Sequence, residues 1–96
     1  MTALRDLPGL GPKSEQWLKQ AGIADEAQLR ALGAVAAFLR LEQAGLRPSL
    51  NFLYALAGAI EGRPWTEIAR QEKGRLLLEL ESLREYRARL ADPPPP

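Results

Sequence analysis

Residues 52 to 60, Phe52-Leu53-Tyr54-Ala55-Leu56-Ala57-Gly58-Ala59-Ile60, decide the fold of this 96-residue chain. The stretch carries no charged side chain and is apolar on nearly every helical face, as is the shorter stretch Ala34 to Leu39. A helix that is apolar all round is surrounded by protein. We therefore predict that these two stretches form the core. Their predicted buried residues are Val35, Phe38, Leu39, Leu53, Leu56 and Ile60.

The remaining sequence predicts an all-α protein. Alanine, leucine, arginine and glutamate dominate, β-branched residues are rare, and no period-2 alternation is present. Glycine, proline and capping residues divide the chain into helices. The predicted segments are a short turn before Leu7, Pro12 to Ala21, Glu26 to Leu32 with Asp25 as its N-cap, Ala34 to Ala44, Leu50 to Glu61 after Pro48-Ser49, a connector from Arg63 to Thr66, and a long last helix from about Thr66 or Arg70 to Leu90.

Composition argues against several classes of protein. Cysteine and histidine are both absent, which removes the commonest metal ligands, general bases and thiol nucleophiles. We expect no catalytic residues, cofactor or metal, and the hydroxyls of Ser14, Ser49 and Thr66 suit helix starts. The start lacks an apolar signal segment, and Phe52 to Ile60, at nine residues, is far short of the roughly 20 that span a bilayer. These features predict a cytoplasmic protein that does not associate with membranes.

The stretch most informative about function is Leu7-Pro8-Gly9-Leu10-Gly11-Pro12-Lys13-Ser14. Glycine leaves backbone amides accessible, and a turn that leads into a helix N-terminus suits an oxyanion such as a DNA phosphate. Leu10 is expected to point inward. The predicted DNA-binding residues are Gly9, Leu10, Gly11, Lys13, Ser14 and Lys19. The alternative is a turn with a purely structural role, in which Pro8-Gly9 is an ordinary turn dipeptide.

Two further patterns concern the internal organisation and the end of the chain. Trp17 to Ile23 is echoed by Phe38 to Leu46, and both copies end in Gln-Ala-Gly followed by an apolar residue. In the last helix, leucines at i, i+4, i+7 and i+14 continue from Leu76 to Leu90. A leucine stripe of that length predicts either packing on the core or a homodimer through this helix.

The order of several motifs resembles the C-terminal domain of the TfoX/Sxy bacterial competence regulators, from about Leu4 to Leu83. The motifs are Leu7 to Ser14, Trp17-Leu18, Ala21 to Ile23, Leu29 to Gly33, Asn51 to Leu56 and Gly62 to Trp65. The resemblance implies a compact five-helix domain with a helix-hairpin-helix-like, SAM-like arrangement, here ending in a long C-terminal helix. We assign residues 1–90 to this single domain and residues 91–96 to a proline-rich disordered tail.

The resemblance implies a small, non-enzymatic regulatory binding module. In that family the domain usually follows an N-terminal α+β domain in regulators of DNA-uptake genes, and no such domain precedes it in this sequence. Two partners stay open. One is double-stranded DNA, contacted through its backbone by the Gly9-Leu10-Gly11 hairpin. The other is a protein, either a transcription-related partner or a second copy of the chain, with no direct DNA contact. The net charge of +1 favours a protein partner, whereas the glycine hairpin favours DNA.

Overall fold

A computed structural model describes residues 3–91. Within that range the chain forms six α-helices after one 3-10 turn, Leu4–Asp6, and no strand. The helices are α1 (Pro12–Gln20), α2 (Glu26–Leu32), α3 (Ala34–Gln43), α4 (Leu50–Glu61), α5 (Trp65–Gln71) and α6 (Lys73–Ala91). The all-α prediction is confirmed. The predicted tail at residues 91–96 lies outside the described residues except for Ala91, the last residue of α6.

Capping side chains start the two helices whose bounds agree fully with the sequence prediction. The Asp25 carboxylate accepts a hydrogen bond of 2.9 Å from the Gln28 amide at the start of α2. The Ser49 hydroxyl accepts one of 3.4 Å from the Phe52 amide at the start of α4. At α2 the side chain satisfies an amide that lacks a partner within the helix, whereas at α4 the Phe52 amide also donates to the Ser49 carbonyl at 3.0 Å.

The C-terminal region differs from the prediction, because the expected single long helix is two helices. A helix already begins at Trp65 within the predicted connector, and the chain leaves helical geometry at Glu72, with φ −114° and ψ 4°. The break allows both Ile68 of α5 and Leu76 of α6 to be buried, at 0% and 2% exposure. The described chain therefore has six helices, not the five expected.

The two apolar stretches form the centre of the protein, as predicted. Helix α4 packs against α3 and α5, and α3 also contacts α1, α2 and α6. Five of the six residues predicted to be buried are at most 4% exposed, and the sixth, Ile60, is partly buried against the same cluster. These contacts place α3 at the centre, with α1, α2, α4 and α6 against it, and place α5 on α4.

Gly58 of α4 permits a close approach that no larger residue would allow. A Cβ atom built on it would overlap the backbone carbonyl oxygen of Arg63, in the segment that leads into α5. Because the obstructing atom belongs to the backbone, it cannot move aside as a flexible side chain could. Gly58 therefore has a packing role.

The internal repeat corresponds to two helix ends with the same hydrogen bonds. After α1, the Ile23 amide donates to the Leu18 carbonyl at 2.8 Å. After α3, the Leu46 amide donates to the Leu41 carbonyl at 3.1 Å. The glycine before each apolar residue, Gly22 or Gly45, has a positive φ, so both helices end in a Schellman motif.

Helix α6 leaves the body of the protein along its length. Leu76 and Leu80 are buried, and an ion pair of 2.7 Å between Arg84 and Glu42 joins the middle of α6 to α3. Beyond that pair, Tyr86 is 58% and Leu90 is 68% exposed. The leucine stripe thus packs on the core from Leu76 to Leu83, which is partly buried against it, and leaves Leu90 exposed. No helix in the described part of the chain is both long and apolar enough to span a bilayer.

Candidate functional site

The hairpin at Leu7 to Gly11 is a tight turn held on the core by its leucines. The Leu10 amide donates a 3.1 Å hydrogen bond to the Leu7 carbonyl, and Gly9 between them has φ +79°. A turn of this kind requires glycine at its third position. Leu7 and Leu10 are both buried, so the prediction that Leu10 points inward is confirmed.

The two glycines of the hairpin have different roles, contrary to their pairing in the sequence analysis. The Cβ position of Gly9 faces Ala55 of α4, 3.8 Å from its Cβ atom. Gly11 has an extended conformation, with φ −135° and ψ −172°, and has open space around its Cβ position. Only Gly9 therefore needs glycine for its backbone conformation. Gly11 is instead the N-cap of α1.

The start of α1 is not capped by a side chain of residues 3–91. Pro12 occupies the first turn, where its missing amide costs nothing, and the Gly11 carbonyl accepts a 3.0 Å hydrogen bond from the Glu15 amide. Lys13 and Ser14 follow in this first turn. What precedes the hairpin is the Leu4–Asp6 turn rather than an α-helix, so the structure does not confirm a helix-hairpin-helix arrangement here.

The two lysines predicted to share one anion lie on different faces of α1. The Lys13 ammonium is 5.5 Å from the centroid of the Trp17 ring. The Lys19 ammonium is 3.6 Å from the Glu15 carboxylate. The structure therefore keeps Gly9, Leu10, Gly11, Lys13 and Ser14 together as the sequence order requires, and places Lys19 apart from them.

Glu15 forms a buried ion cluster that the sequence analysis did not identify. Its carboxylate is only 6% exposed and accepts hydrogen bonds from Arg5: from the backbone amide at 3.2 Å, from Nε at 3.1 Å and from Nη2 at 2.7 Å. The hydrogen bonds from the Arg5 side chain, more than any other cause, lower the pKa of the Glu15 carboxyl to about 2. The cluster ties the Leu4–Asp6 turn to α1. Its only sequence signal is that Glu15 lies three residues before the buried Leu18, on the apolar face.

A second ion cluster, around Arg63, fixes the segment between α4 and α5. The Arg63 guanidinium donates to the Glu67 carboxylate at 2.8 and 3.0 Å and to the Gln71 side-chain oxygen at 2.8 Å. Glu61 lies 3.3 Å from the same guanidinium. Because its partners come from both helices, the cluster has a structural role: it holds the segment that joins α4 to α5.

A cleft lies between the beginnings of α1 and α4; it is named here the α1–α4 cleft. Its volume is about 270 Å³. The lining residues are Lys13, Ser14, Trp17, Arg47, Ser49 and Phe52. Two of them belong to the predicted set. Of the other four, Ser49 is a predicted helix start and Phe52 lies in the predicted core stretch, whereas the sequence predicts neither a core nor a capping role for Trp17 and Arg47. The Trp17 and Phe52 rings are 5.8 Å apart between centroids, with their planes inclined by 33°.

The charges around the α1–α4 cleft are all positive. None of its lining residues is acidic. In the part of the chain that the structure describes, no ion pair involves Lys13 or Arg47. Residues 3–91 contain no group of three acidic side chains placed to hold a metal ion. The arrangement is suited to binding an anion that carries an apolar or aromatic group.

Comparison with known proteins identifies the family of this small helical domain. Residues 1–80 match the TfoX C-terminal domain family, so the chain belongs to that family. A relative from Haemophilus influenzae, the DNA transformation protein TfoX, is 35% identical over 80 residues. The match covers 83% of this chain and 37% of the relative, so the chain spans little more than a third of that protein's length.

Two solved structures from Listeria monocytogenes have a similar fold. A triclinic crystal form of an uncharacterized protein has a TM-score of 0.75 and 34% identity, over 86% of this chain and 94% of that one. A tetragonal form of a protein of unknown function has a TM-score of 0.73 and 35% identity, over 83% of this chain and 99% of that one. Both similarities therefore span almost the whole of the Listeria chains.

Proposed function

We propose that this chain is a non-enzymatic binding module of a bacterial competence regulator, and that it contacts the backbone of double-stranded DNA at the start of α1. The observation that carries the proposal is that Lys13 stands in the uncapped first turn of α1 with no carboxylate partner among residues 3–91. The family membership and the name of the Haemophilus relative support the regulatory part of the proposal. The proposal places the module in the cytoplasm, where chromosomal DNA lies.

The contact set is smaller than the sequence predicted. Lys19 is withdrawn from it because this lysine pairs with Glu15 on another face of α1. Gly9 and Leu10 shape the turn, whereas Gly11, Lys13 and Ser14 are the residues placed to meet a phosphate. So few contacts release few counterions, and each neutralised phosphate contributes about −0.9 to the slope of log K against log salt. Binding is therefore expected to be weak and independent of sequence.

The test is fluorescence anisotropy of a labelled 20-base-pair duplex titrated with the protein at about 20 and 150 mM salt. Lys13→Glu should weaken binding equally on duplexes of unrelated sequence. Lys19→Glu changes the same charge on the same helix and should leave the affinity within about twofold. If the parent protein does not bind at low salt, or if a folded Lys13→Glu protein binds as well as the parent, the proposed contact is wrong.

A second candidate function, self-association through α6, is favoured by a different observation. Leu78, Tyr86 and Leu90 of this helix are 66%, 58% and 68% exposed. Tyr86 and Leu90 lie on the part of α6 that leaves the body, and Leu78 lies on the outer side of the part that packs on it. Exposed apolar groups of this kind could be covered by the same helix of a second copy. Sedimentation of the full chain against a chain ending at Leu83 decides the matter. A monomer in both cases at high micromolar concentration would restrict the leucine stripe to packing within one chain.

A further inference from the structure

The α1–α4 cleft combines two features that the proposed backbone contact does not use. The first is an aromatic wall: Trp17 and Phe52 pack against the core cluster, yet both are only partly buried and line the cleft. The second is Arg47, an exposed cation from the loop before α4. A phosphate contact at the start of α1 requires neither feature.

The size of the cleft limits what can enter it. Its volume of about 270 Å³ is just below the roughly 300–1,000 Å³ typical of sites for drug-sized ligands. It therefore suits one planar group rather than a long ligand. The half-buried aromatic rings offer that group an apolar surface, while the exposed Lys13 and Arg47 side chains offer charge at its edge.

The two cations of the cleft differ from the ion-paired basic clusters of the described chain. Arg40, Arg70, Lys73, Arg87 and Arg89 also have no ion pair among residues 3–91, but none of them lines the cleft. Arg5 and Lys19 pair with Glu15, Arg63 pairs with Glu61 and Glu67, and Arg75 pairs with Glu72. An anion that approached those clusters would have to displace a carboxylate. At the α1–α4 cleft, nothing in the lining competes with it.

We propose that the α1–α4 cleft binds one nucleotide unit, with its base against Trp17 and Phe52 and its phosphate between Lys13 and Arg47. The inference goes beyond the proposed function and shares Lys13 with it. A base stacked in a duplex cannot reach an aromatic wall of this kind, whereas an unpaired base can. The cleft therefore selects single-stranded nucleic acid over duplex, and the same chemistry admits a free nucleotide.

Trp17 provides a direct readout of the cleft. The chain has two tryptophans, and Trp65→Phe leaves Trp17 as the sole indole. Titration of that protein with a ten-residue oligothymidylate at about 20 mM salt should quench its fluorescence. A matched duplex should quench it less, and free thymidine monophosphate should quench it at higher concentration. About −0.7 per neutralised phosphate on a single strand, for the one phosphate held between Lys13 and Arg47, predicts a salt slope of about −0.7.

Two exposed cations provide the matched variants. Arg47→Gln should reduce the affinity for the oligothymidylate about 5-fold, the effect of the net loss of one ordinary hydrogen bond at an exposed site. Arg70→Gln, which removes an equally exposed arginine from α5, should leave it unchanged. Phe52→Leu keeps an apolar group in the core and removes the ring, and it should reduce affinity about 5- to 100-fold, as expected for a lost stacking surface.

The outcomes separate this inference from the proposed function. Duplex binding that depends on Lys13, with no single-strand preference and no effect of Arg47→Gln, would overturn the cleft assignment and leave the backbone contact standing. Single-strand binding that depends on Arg47 without any duplex affinity would support the cleft and overturn the duplex proposal. Binding confined to an acidic, tryptophan-free peptide, with no Trp17 response to either nucleotide probe, would overturn both.

Discussion

Two faces of α1 each carry a lysine, and they differ in whether that lysine has a carboxylate partner. On one face, the buried carboxylate of Glu15 holds Arg5 at 2.7 Å and Lys19 at 3.6 Å. On the other face, Lys13 lies over the Trp17 ring and lines the α1–α4 cleft with Arg47. The first face is a structural cluster in which one carboxylate holds two cations, whereas the second has two cations and no carboxylate in the lining of its cleft.

This difference shows why a count of lysines is a poor guide to an anion site. The whole chain has a net charge of +1, and the first face alone contains two of its cations. A cation beside a buried carboxylate is already satisfied, because separating the pair would leave the carboxylate unpaired in a desolvated place. Availability of charge is thus decided by the neighbours of each side chain, which the folded chain determines.

The largest loss of stability is expected at Leu18, because both faces of α1 depend on its packing. Leu18 lies between them on α1 and is 0% exposed. Leu18→Ala removes buried apolar surface and leaves a cavity, so we expect a loss of about 2–5 kcal/mol in the free energy of unfolding. Urea denaturation followed by circular dichroism measures it. Gln16→Ala, on the exposed side of the same helix, is the control, and a cost at Leu18 no greater than at Gln16 would contradict this packing.

Lowering the pH should reduce the free energy of unfolding through the Glu15 carboxylate. The face of α1 with Lys13 should not contribute, because the cleft beside it has no acidic lining residue. Because Arg5 lowers the pKa of Glu15 from its ordinary value of 4.5 to about 2, its contribution to stability is complete above about pH 4.5. That contribution is lost as the pH falls through about 2, where the folded protein also takes up the proton. Glu15→Gln has no such contribution to lose. Its free energy of unfolding should be lower at pH 7 and should change less than the parent's between pH 4.5 and 2.

Urea midpoints at several pH values measure the effect of Glu15→Gln. Glu26→Gln is the matched control. Glu26 pairs with Arg30 near the surface, where solvent screens the attraction between the two charges. This variant should reproduce the parent's pH dependence. Parallel curves for the parent and Glu15→Gln would contradict the assigned role of the Arg5–Glu15 pair.

The Leu7 to Gly11 hairpin, which leads into α1, allows a test in which the expected loss of stability is smaller. Gly9 has φ +79°, a conformation that costs other residues about 1–2 kcal/mol. Gly9→Ser should therefore lower the free energy of unfolding by about that amount. Gly11→Ser should cost at most about 0.5 kcal/mol, because Gly11 is an extended N-cap with free space and serine is a favoured N-cap. Equal losses at both positions, measured by urea denaturation, would contradict their different roles.

Much of the fold could be predicted because local signals and burial agreed. Asp25 and Ser49 mark the starts of α2 and α4, and the absence of charge marks the core. The break at Glu72 could not be predicted in this way. Gly74, two residues later, weakens the helix locally and is consistent with a kink or a later helix start. It does not fix the position of the break, because the chain bends where Ile68 and Leu76 can both reach the core, and that requirement is tertiary.

The candidate site was predictable only in part, for a similar reason. Lys13 and Ser14 follow the glycine hairpin in sequence, so the motif contains them. Arg47 and Phe52 reach the same cleft from more than thirty residues away. Arg47 lies outside the motifs that carry the family resemblance, and the motif that contains Phe52, Asn51 to Leu56, predicts a core helix rather than a binding residue. The pairing of Lys19 with Glu15 has the spacing of an ordinary helical ion pair. What the spacing could not indicate is that this carboxylate is buried by the Leu4–Asp6 turn and held by Arg5.

The smallest expected effect concerns the lysines themselves. Lys19→Gln breaks an ion pair whose lysine is 57% exposed, and such exposed pairs contribute about 0.2–1 kcal/mol. Since Arg5 still holds Glu15, we expect a loss of about 0.5 kcal/mol or less in the free energy of unfolding. The loss should shrink further at 1 M salt, where exposed charges are screened within about 3 Å.

Lys13→Gln removes a cation from above the Trp17 ring, which also costs about 0.5–1 kcal/mol at an exposed site. Urea titrations of both variants at low and high salt measure these differences. A loss above about 2 kcal/mol in Lys19→Gln would mean that this lysine, rather than Arg5, holds the buried carboxylate.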